Sequence, residues 1–391
     1  MSKPRVLFVH NRYQLPGGED AVADAEVELL RRNGHAVETY LRDNEELRRM
    51  NRVESFTQAV WSRRTSQDIT RLVDAFQPDV IHAHNTFALV SSSLYWAAAR
   101  AGIPVVQTLH NFRLMCVQAM FLYDGRVCED CLGHVPWRGV TRKCYRNSGL
   151  QSAALAVMLG VHRTLGTFRD KVTRYIALNE FCRRKFVEGG LPASRISVKP
   201  NFVDVERPVA GGARHGGLYV GRLAPEKGID VLMQALRELP GVAIDVIGVG
   251  PEQHQVEAHP QLNVLGWLAH GEIYERMRRA SYLVMPSIWY ENFPRTLVEA
   301  YANGLPVIAS HLGALPELVE HGRTGLLFEA GSAHDLARHI AWAEAFPGKM
   351  AAMGEEARER YESEFTSERN YAQLTAIYRD AIAAADLRVA V

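Results

Sequence analysis

Two basic side chains flank a short loop that can bind phosphate groups. Residues 221–228, GRLAPEKG, follow an apolar run of strand length and precede a helical pattern that begins at Ile229. Arg222 offers a planar fork of donors and Lys227 a compact positive charge, and the first turn of a helix adds backbone N–H groups. This combination suits a diphosphate, although the spacing differs from that of a P-loop. A solvated loop with an ion pair between Glu226 and Lys227 is the alternative.

Two carboxylates follow another predicted strand, eight positions apart. Glu291 precedes a helix predicted over residues 294–302, and Glu299 lies on the second turn of that helix. Two carboxylates at one strand end can contact two parts of one ligand, with the backbone amides of Phe293 and Arg295 pointing between them. The alternative is that Glu299 pairs with a neighbouring arginine while Glu291 is only exposed to solvent.

Four cysteines form a cluster in a segment rich in glycine and proline. Cys116, Cys128, Cys131 and Cys144 have the spacing C-x11-C-x2-C-x12-C. Four thiolates can complete a tetrahedral shell around Zn²⁺, and a loop-rich insertion gains folding free energy from such an ion. The sequence therefore predicts a structural zinc site, with an iron–sulfur cluster or reduced thiols as the alternatives. The fifth cysteine, Cys182, is predicted to be a small buried residue.

Apolar runs of strand length alternate with amphipathic helical stretches, which is typical of parallel sheets covered by helices. One set of strands is predicted at residues 5–9, 36–40, 79–83, 103–109, 174–178 and 195–199, and a second at 217–220, 242–247, 263–265, 282–285, 307–309 and 325–328. The two sets predict two doubly wound α/β domains. Ligands bind at the carboxyl ends of such strands, so we expect the functional residues in a cleft that both sheets border.

The predicted domain boundary lies close to residue 204. Residues 1–204 form the first predicted domain, with a cysteine-rich insertion at 113–148, and residues 205–366 form the second. A hinge is expected near residues 200–216, where glycine, proline and small residues concentrate. The final helical segment, 367–391, is long enough to pack back on the first domain.

The charge of the chain is unevenly distributed. Residues 1–200 contain 28 Lys and Arg against 19 Asp and Glu, whereas the rest of the chain contains 17 against 25. The first half is therefore expected to face an anionic ligand or surface, although a DNA-binding protein would have a larger positive excess. Without a membrane-spanning run or a signal-peptide pattern, the chain is expected to be cytoplasmic and to bind no nucleic acid.

Basic pairs in the first half usually mark solvated faces, but they could also dock the chain on an anionic membrane. They are Arg48-Arg49, Arg63-Arg64, Arg142-Lys143 and Arg183-Arg184-Lys185, with Trp61 and Trp137 nearby. Each basic residue near such a surface contributes about 1 kcal/mol. Peripheral membrane contact is therefore a hypothesis.

His82 and His84 follow a strand at alternate positions, a pattern that more often marks packed or exposed side chains than ligands.

Residues 291–299, ENFPRTLVE, resemble the Glu-x7-Glu motif of the retaining family-four glycosyltransferases, which belong to the glycosyl transferases of group 1 and have the GT-B fold. The resemblance extends to the segments 221–228, 247–251, 265–267 and 324–328 in the second half and 16–19 and 108–110 in the first. It covers nearly the whole chain. It implies two Rossmann-like domains that face each other across a cleft, the first binding the acceptor and the second the nucleotide sugar.

The resemblance implies a UDP- or GDP-linked sugar as donor and a role for each matching residue. Glu299 would hold the ribose hydroxyls, and Glu291 with the amides that follow it would hold the transferred sugar. Arg222 and Lys227 would neutralise the diphosphate, and His110 would contact the sugar. The expected catalytic residues are therefore His110, Glu291, Arg222 and Lys227. The other residues implied in donor binding are Gly17, Gly18, Gly250, Trp267, Leu268, Asn292, Phe293, Pro294 and Arg295.

The implied reaction is a sugar transfer with retention, in which the leaving phosphate deprotonates the acceptor hydroxyl and no protein base is needed. The sequence contains no Asp-x-Asp, which argues against a catalytic metal ion. The basic first half favours a lipid-linked or polysaccharide acceptor of bacterial envelope glycan synthesis. A nucleotide-sugar 2-epimerase-like isomerase and a non-catalytic nucleotide-sugar-binding protein are the alternatives. Asn111 and Asn292 stand where the family often has Asp and Gly.

Overall fold

A computed structural model describes residues 3–14, 17–205 and 214–389 and contains two six-stranded parallel sheets. The chain divides into two compact units. The first unit comprises Met1–Met120, Glu129–Asn201 and Asn370–Val391, and the second comprises Phe121–Cys128 and Phe202–Arg369. The two helix-covered parallel sheets confirm the predicted α/β fold class.

The first unit contains one six-stranded sheet and the helices that connect its strands. Its elements are β1 (Val6–Arg12), α1 (Gly18–Arg32), β2 (Val37–Asp43), α2 (Arg52–Val60), α3 (Arg63–Phe76), β3 (Val80–Ala83), α4 (Ser93–Arg100), β4 (Val105–Thr108), β5 (Leu122–Tyr123), β6 (Arg126–Val127), α5 (Trp137–Thr141), α6 (Gly149–Thr164), α7 (Thr167–Asp170), β7 (Arg174–Ala177), α8 (Glu180–Glu188) and β8 (Ile196–Val198). The strand order is β2-β1-β3-β4-β7-β8, and the short β5-β6 hairpin, which belongs to the second unit, is separate from this sheet. Strands β3 and β4 are buried along their whole length, as expected for a parallel sheet covered on both faces.

The second unit repeats this architecture. Its remaining elements are β9 (Gly217–Val220), α9 (Ile229–Arg237), β10 (Ile244–Ile247), α10 (Gln253–Glu257), β11 (Leu262–Gly266), α11 (His270–Arg279), β12 (Tyr282–Met285), α12 (Arg295–Ala302), β13 (Val307–Ser310), α13 (Leu315–Leu318), β14 (Gly325–Phe328), α14 (Ala333–Ala345) and α15 (Pro347–Glu364), and α16 (Ser367–Val389) follows. The strand order is β11-β10-β9-β12-β13-β14. Strand β9 therefore lies between β10 and β12, which brings the loops after these three strands to one edge of the sheet.

Helix α16 packs on the sheet of the first unit. Its buried side chains Leu374, Ile377, Tyr378 and Ala381 belong to a hydrophobic cluster with strand residues such as Val6, Val80, Val106 and Ile176. Asn370 also donates a hydrogen bond from its side chain to the carbonyl oxygen of Pro200, at 2.8 Å. The last helix is thus part of the core of the first unit, although the second unit precedes it in sequence.

The observed elements differ from the predicted ones mainly at their ends. Strand β1 continues beyond the predicted residue 9 to Arg12, and β2 continues to Asp43, because these two strands pair over seven residues. Most of the predicted hinge, residues 206–213, lies outside the described residues. In the described part of the chain, every helix is too short or too polar to cross a membrane.

Candidate active site

Three loops of the second unit meet at the carboxyl edge of its sheet, after β9, β10 and β12. Leu223 of the first loop donates its backbone N–H to Val249 of the second, at 3.1 Å. A Cβ atom at Gly250 would lie 2.2 Å from the carbonyl oxygen of Leu223, and one at Gly228, where φ is +67°, would lie 1.9 Å from that of Pro286. Only glycine permits these contacts. The two glycines therefore let all three loops pack against one another.

Lys227 and Glu291 join the first and third of these loops. The Lys227 ammonium lies 2.7 Å from Oε1 of Glu291, which also accepts hydrogen bonds from Ser287 Oγ at 2.7 Å and Trp289 Nε1 at 3.0 Å. Glu291 is 4% exposed. Burial alone would raise its pKa, but the Lys227 charge and these donors hold the pKa below its ordinary value. Glu291 is thus a buried, ionised carboxylate, so the alternative of an exposed side chain is wrong.

Arg222 and Glu226 form a second ion pair, within the first loop. The Arg222 guanidinium contacts the carboxylate of Glu226, whose side chain is 10% exposed, while the arginine side chain is 61% exposed. Glu226 thus pairs with Arg222, and Lys227 pairs with Glu291, so the alternative pairing of Glu226 with Lys227 is wrong. Arg222 is held at one side by a carboxylate and remains accessible to a ligand.

Glu299 lies on α12 and pairs with Arg295 one turn earlier. Arg295 Nε lies 2.9 Å from Glu299 Oε1, yet among the described residues neither atom has a hydrogen-bond partner with acceptable geometry. Both are buried, so this misaligned pair retains hydrogen-bonding capacity for a ligand. The helix begins at Arg295, one residue later than predicted, because Pro294 has an extended backbone with ψ of 108° and occupies the N-cap.

The other predicted donor-binding residues of the second unit have different exposures. Asn292 and Phe293 are each 8% exposed, and the ring of Phe293 packs edge-on against Phe365. Trp267, directly after β11, is 74% exposed, and Leu268 beside it is half-buried. An indole with this exposure offers an apolar face to a planar ligand.

His110 follows β4 in the first unit and contacts a second histidine. Its Nε2 lies 2.7 Å from Nδ1 of His84, which follows β3. Gly17 and Gly18 lie at the start of α1 and are exposed, whereas Pro16 of the same motif lies outside the described residues. Asn111 donates a side-chain hydrogen bond to Glu19 at 2.9 Å, so a carboxylate is present here despite the missing aspartate.

The His110–His84 pair continues into the core of the first unit as a network of His110, His84, Glu26 and Lys199. His84 Nε2 lies 3.2 Å from Glu26 Oε2, and Lys199 Nζ lies 2.5 Å from Glu26 Oε1. His84 is 1% exposed, and Glu26 and Lys199 are fully buried. We call this set the His110 network. The sequence pattern predicts only packing or exposure for His84, and no signal in the sequence marks Glu26 or Lys199.

The described residues contain one set of three or more potential metal ligands within 4.8 Å of one another, and it consists of Glu26, His82 and His84. The Lys199 ammonium already neutralises this carboxylate, and His82 Nδ1 is hydrogen-bonded to the hydroxyl of Tyr378 at 2.7 Å. A cation there would have to displace both. The four cysteines are not part of this set; Cys116 and Cys131 are buried, and Cys128 and Cys144 are half-buried.

The buried histidines predict a loss of stability in mild acid. Burial lowers the pKa values of His82, His84 and His110 below 6.5. As the pH falls below 6.5, these histidines bind protons in the unfolded chain but not in the folded chain. Each histidine that stays neutral in the folded chain therefore lowers the unfolding free energy by about 1.4 kcal/mol per pH unit. Above pH 7 this contribution is absent. Urea unfolding between pH 7.5 and 5.5 measures the slope.

A matched control for this slope is the exposed His254. The variant His254→Gln is expected to keep the slope of the wild type, since His254 is exposed and lies in the second unit, apart from His82, His84 and His110. Unfolding free energies that do not change between pH 7 and 5.5 would contradict the prediction.

Known proteins match both halves of the chain. The protein family Glycosyl transferases group 1 matches residues 217–360, and the family Glycosyltransferase Family 4 matches residues 16–207. Among solved structures, Alr3699/HepE of Anabaena in complex with UDP has a TM-score of 0.67 at 20% identity, covering 95% of this chain and 98% of that one. Sucrose-phosphate synthase from Thermosynechococcus elongatus has a TM-score of 0.73 at 18% identity, covering 97% and 100%.

Two curated relatives come from Mycobacterium tuberculosis. A glycogen synthase is 28% identical over 309 residues, which cover 74% of this chain and 66% of the relative. A GDP-mannose-dependent alpha-(1-6)-phosphatidylinositol monomannoside mannosyltransferase is 28% identical over 235 residues, covering 52% and 60%. The chain thus spans somewhat less than two thirds of the length of these relatives.

The chain has the GT-B fold. This class is defined by its two parallel six-stranded sheets, by the loops at the edge of the second sheet and by these structural matches. Within that class, it belongs to the glycosyltransferases of group 1, family 4. The family resemblance predicted from the sequence is therefore confirmed.

Proposed function

We propose that this chain is a retaining, metal-independent glycosyltransferase that transfers a sugar from a nucleoside diphosphate donor to a hydroxyl acceptor. The observation that carries the proposal is the set of charged side chains at the carboxyl edge of the second sheet: Arg222 and Lys227 after β9, and the buried carboxylates Glu291 after β12 and Glu299 on the helix that follows. Positive charge for a diphosphate and acceptors for hydroxyl groups then lie at one sheet edge.

The diphosphate is bound by Arg222 and Lys227. Departure of a nucleoside diphosphate builds negative charge, which fixed cations in a partly buried site stabilise. Within the chain these cations pair with Glu226 and Glu291. We expect both to contact the diphosphate when donor binds, while the carboxylates keep them at the loops.

The ribose and base are bound beside α12. Glu299 accepts hydrogen bonds from the ribose hydroxyls, for which its incompletely bonded Oε1 is suited. The base lies over the backbone at Gly250 and near Trp267 and Leu268, and the exposed indole supports this assignment. The donor is proposed to be a UDP- or GDP-linked sugar. In support, Alr3699/HepE was solved in complex with UDP, and the mannosyltransferase is GDP-mannose-dependent.

The transferred sugar is held by Glu291 and by the backbone from Asn292 to Arg295. For His110, Gly17 and Gly18 of the first unit, the roles in sugar, phosphate and acceptor binding stay predictions from the family resemblance. In the reaction, the bond from the anomeric carbon to the leaving phosphate oxygen breaks, and the acceptor oxygen bonds to the same face of that carbon. The proton of the acceptor hydroxyl passes to the leaving phosphate. No protein base or covalent intermediate is required.

A donor screen followed by product analysis tests this proposal. At saturating concentration the correct nucleotide sugar is expected to stabilise the folded chain by about 2.7 kcal/mol at a hundredfold excess over Kd. NMR of the product then reports whether the anomeric configuration is retained. An epimer formed without acceptor would indicate the isomerase, and binding without hydrolysis or transfer would indicate a binding protein.

Turnover is expected not to require a divalent cation. The proposed charge stabilisation comes from Arg222 and Lys227, so brief EDTA treatment should leave the rate unchanged, and strict dependence on added Mg²⁺ or Mn²⁺ would contradict it.

We propose structural zinc at Cys116, Cys128, Cys131 and Cys144, where four thiolates would close the shell and leave no position for catalysis. Metal analysis of Cys128→Ser, with Cys182→Ser as control, should show loss of zinc only in the first variant.

The acceptor is proposed to be a lipid-linked or polysaccharide intermediate of bacterial envelope glycan synthesis, reached by peripheral contact of the first unit with an anionic membrane. Helix α6 supports this contact, because its surface exposes the apolar side chains Leu150, Val157 and Val161, followed by Leu165. Trp137 is 59% exposed beside it. Several of the basic pairs are partly neutralised, for example Arg142 by Asp130 and Lys185 by Glu129.

Replacing three of these apolar side chains tests the membrane contact. Leu150→Ser, Val157→Ser and Val161→Ser together are expected to weaken binding to phosphatidylglycerol vesicles about tenfold or more, because each buried apolar side chain contributes about 1.5–3 kcal/mol. Vesicle sedimentation measures the change, and hydrolysis of the donor in solution should be unaffected. Equal sedimentation of variant and wild type would exclude α6 as the contact surface.

A further inference from the structure

Arg113 of the first unit lies in a corner between two aromatic rings. Its guanidinium carbon is 4.8 Å from the ring centroid of Phe87 and 5.2 Å from that of Tyr145, and these two rings are nearly perpendicular, at 86°. Phe87 lies in the loop after β3 and Arg113 in the loop after β4, so the corner lies at the carboxyl edge of the first sheet. Contact with aromatic faces stabilises the guanidinium in this position.

Among the described residues, this guanidinium is hydrogen-bonded at one nitrogen. Arg113 Nη1 donates to the backbone carbonyl oxygen of Val117. The other two nitrogens, Nε and Nη2, have no acceptor in the described part of the chain and are open to solvent. Together they form the fork of donors that binds two oxygens of a carboxylate or a phosphate. The fork is therefore held in place without a counter-charge from any residue that the structure describes.

A second arginine contacts the same tyrosine. The guanidinium carbon of Arg146 is 5.4 Å from the ring centroid of Tyr145, and Arg146 is exposed and forms no ion pair with a described residue. Lys143, Arg146 and Asn147 all have a positive φ, of 54°, 51° and 52°. Residues with side chains adopt this conformation at a cost in free energy, and such positions concentrate at binding sites. The turn thus presents the tyrosine and the arginine in a strained conformation.

The two arginines favour a ligand with phosphate groups. A phosphate accepts two parallel hydrogen bonds from one guanidinium fork, and a diphosphate has charge for a second cation. The site continues into α6, because Tyr145 donates its backbone N–H to Ser152 Oγ at 3.0 Å, and Leu150 on the same helix is 69% exposed. A hydrocarbon chain attached to the diphosphate would therefore reach the exposed apolar side chains of α6.

We propose that Arg113 and Arg146 form the binding site for the diphosphate group of a lipid-linked acceptor. Phe87 and Tyr145 hold the two guanidinium groups in place through contact with their rings. This assignment of the acceptor class rests on the transferase function proposed above, whereas the anion site itself consists of residues of the first unit alone. A glycan with carboxylate groups is the alternative that the experiment separates.

Calorimetric titration with farnesyl diphosphate tests the site, with saturating UDP present to occupy the proposed donor site of the second unit. Arg113→Met keeps an apolar stem against the rings but removes the fork, so it is expected to weaken binding roughly tenfold to hundredfold. Arg146→Gln should weaken binding about threefold, because an exposed cation contributes less. The affinity of the wild type should fall as the salt concentration rises.

Arg138→Gln is the matched control. Arg138 lies in the same cysteine-rich segment and also contacts an aromatic ring, at 5.8 Å from the centroid of Trp137, but it is paired with Asp130 at 3.3 Å. This variant should bind farnesyl diphosphate like the wild type. Farnesol, which lacks the diphosphate, should show no difference in affinity between the wild type and Arg113→Met.

Equal affinities of the wild type and Arg113→Met for farnesyl diphosphate would overturn the proposal, as would no binding to the wild type. A galacturonate oligomer that binds in its place and is lost in Arg113→Met would instead assign a carboxylate glycan. If Arg113→Met does not fold, Arg146→Gln decides, and an unchanged affinity then overturns the proposal. If the wild type neither binds UDP nor turns over a nucleotide sugar, the proposed function fails, while these titrations still test the two arginines.

Discussion

Replacing Lys227 with methionine is expected to lower kcat by roughly 10²- to 10³-fold, the range observed when one fixed donor to a developing charge is removed. Lys227 joins the loop after β9 to Glu291, at 2.7 Å, and is proposed to bind the diphosphate. Without it, the departing diphosphate loses a positive charge held in place before the reaction begins. Because this stabilisation grows as the bond breaks, kcat should fall more than KM rises. Steady-state kinetics with the identified donor measure both.

The same substitution has a structural cost that must be separated from the chemical one. Glu291 is 4% exposed and would lose its counter-charge, which destabilises the fold. The double variant Lys227→Met, Glu291→Gln removes the unpaired charge and should recover stability without recovering kcat. Lys349→Met, on the exposed surface of α15, is the control for a lost lysine. If Lys227→Met kept wild-type kcat, Lys227 would not stabilise the leaving group.

Replacing Glu299 with glutamine is expected to weaken binding of the nucleoside diphosphate roughly tenfold to hundredfold, since hydrogen bonds to a charged group contribute about 1.5–3 kcal/mol. Glu299 is 5% exposed on α12, and its Oε1 makes no hydrogen bond of acceptable geometry with any residue that the structure describes. Ribose hydroxyls would supply the donors it lacks. Calorimetric titration with UDP and GDP measures the loss, which should appear in KM more than in kcat.

A carboxylate outside the site provides the comparison for Glu299. Glu257 is exposed at the end of α10 and accepts a hydrogen bond from Gln253, at 2.7 Å. Glu257→Gln should bind UDP or GDP like the wild type. Equal affinities of Glu299→Gln and Glu257→Gln would show that Glu299 does not contact the nucleotide.

The sequence predicts the sheets well because their strands are local features. Strands β9, β12 and β14 have the predicted bounds, since each is a short apolar run ended by Gly, Pro or a polar turn. The carboxylates and cations of the second unit were predictable for a related reason. They follow strand ends directly, and neighbouring parallel strands deliver such residues to one edge.

The contacts among these residues were less predictable, because they join distant parts of the chain. Lys227 could have paired with Glu226, its neighbour in sequence, but the structure pairs it with Glu291, 64 positions away. The His110 network is still less local: Glu26 is 58 positions from His84 and 173 from Lys199. The histidines at alternate positions, His82 within β3 and His84 directly after it, were a usable signal, but without the fold nothing indicated that His84 contacts His110.

The most direct test of the account is a crystal structure of the protein soaked with UDP or GDP. We expect a nucleotide at the carboxyl edge of the second sheet, with its diphosphate on Arg222 and Lys227 and its ribose hydroxyls on Glu299. Ordered nucleotide bound elsewhere, with those three side chains still in their ligand-free pairs, would contradict it.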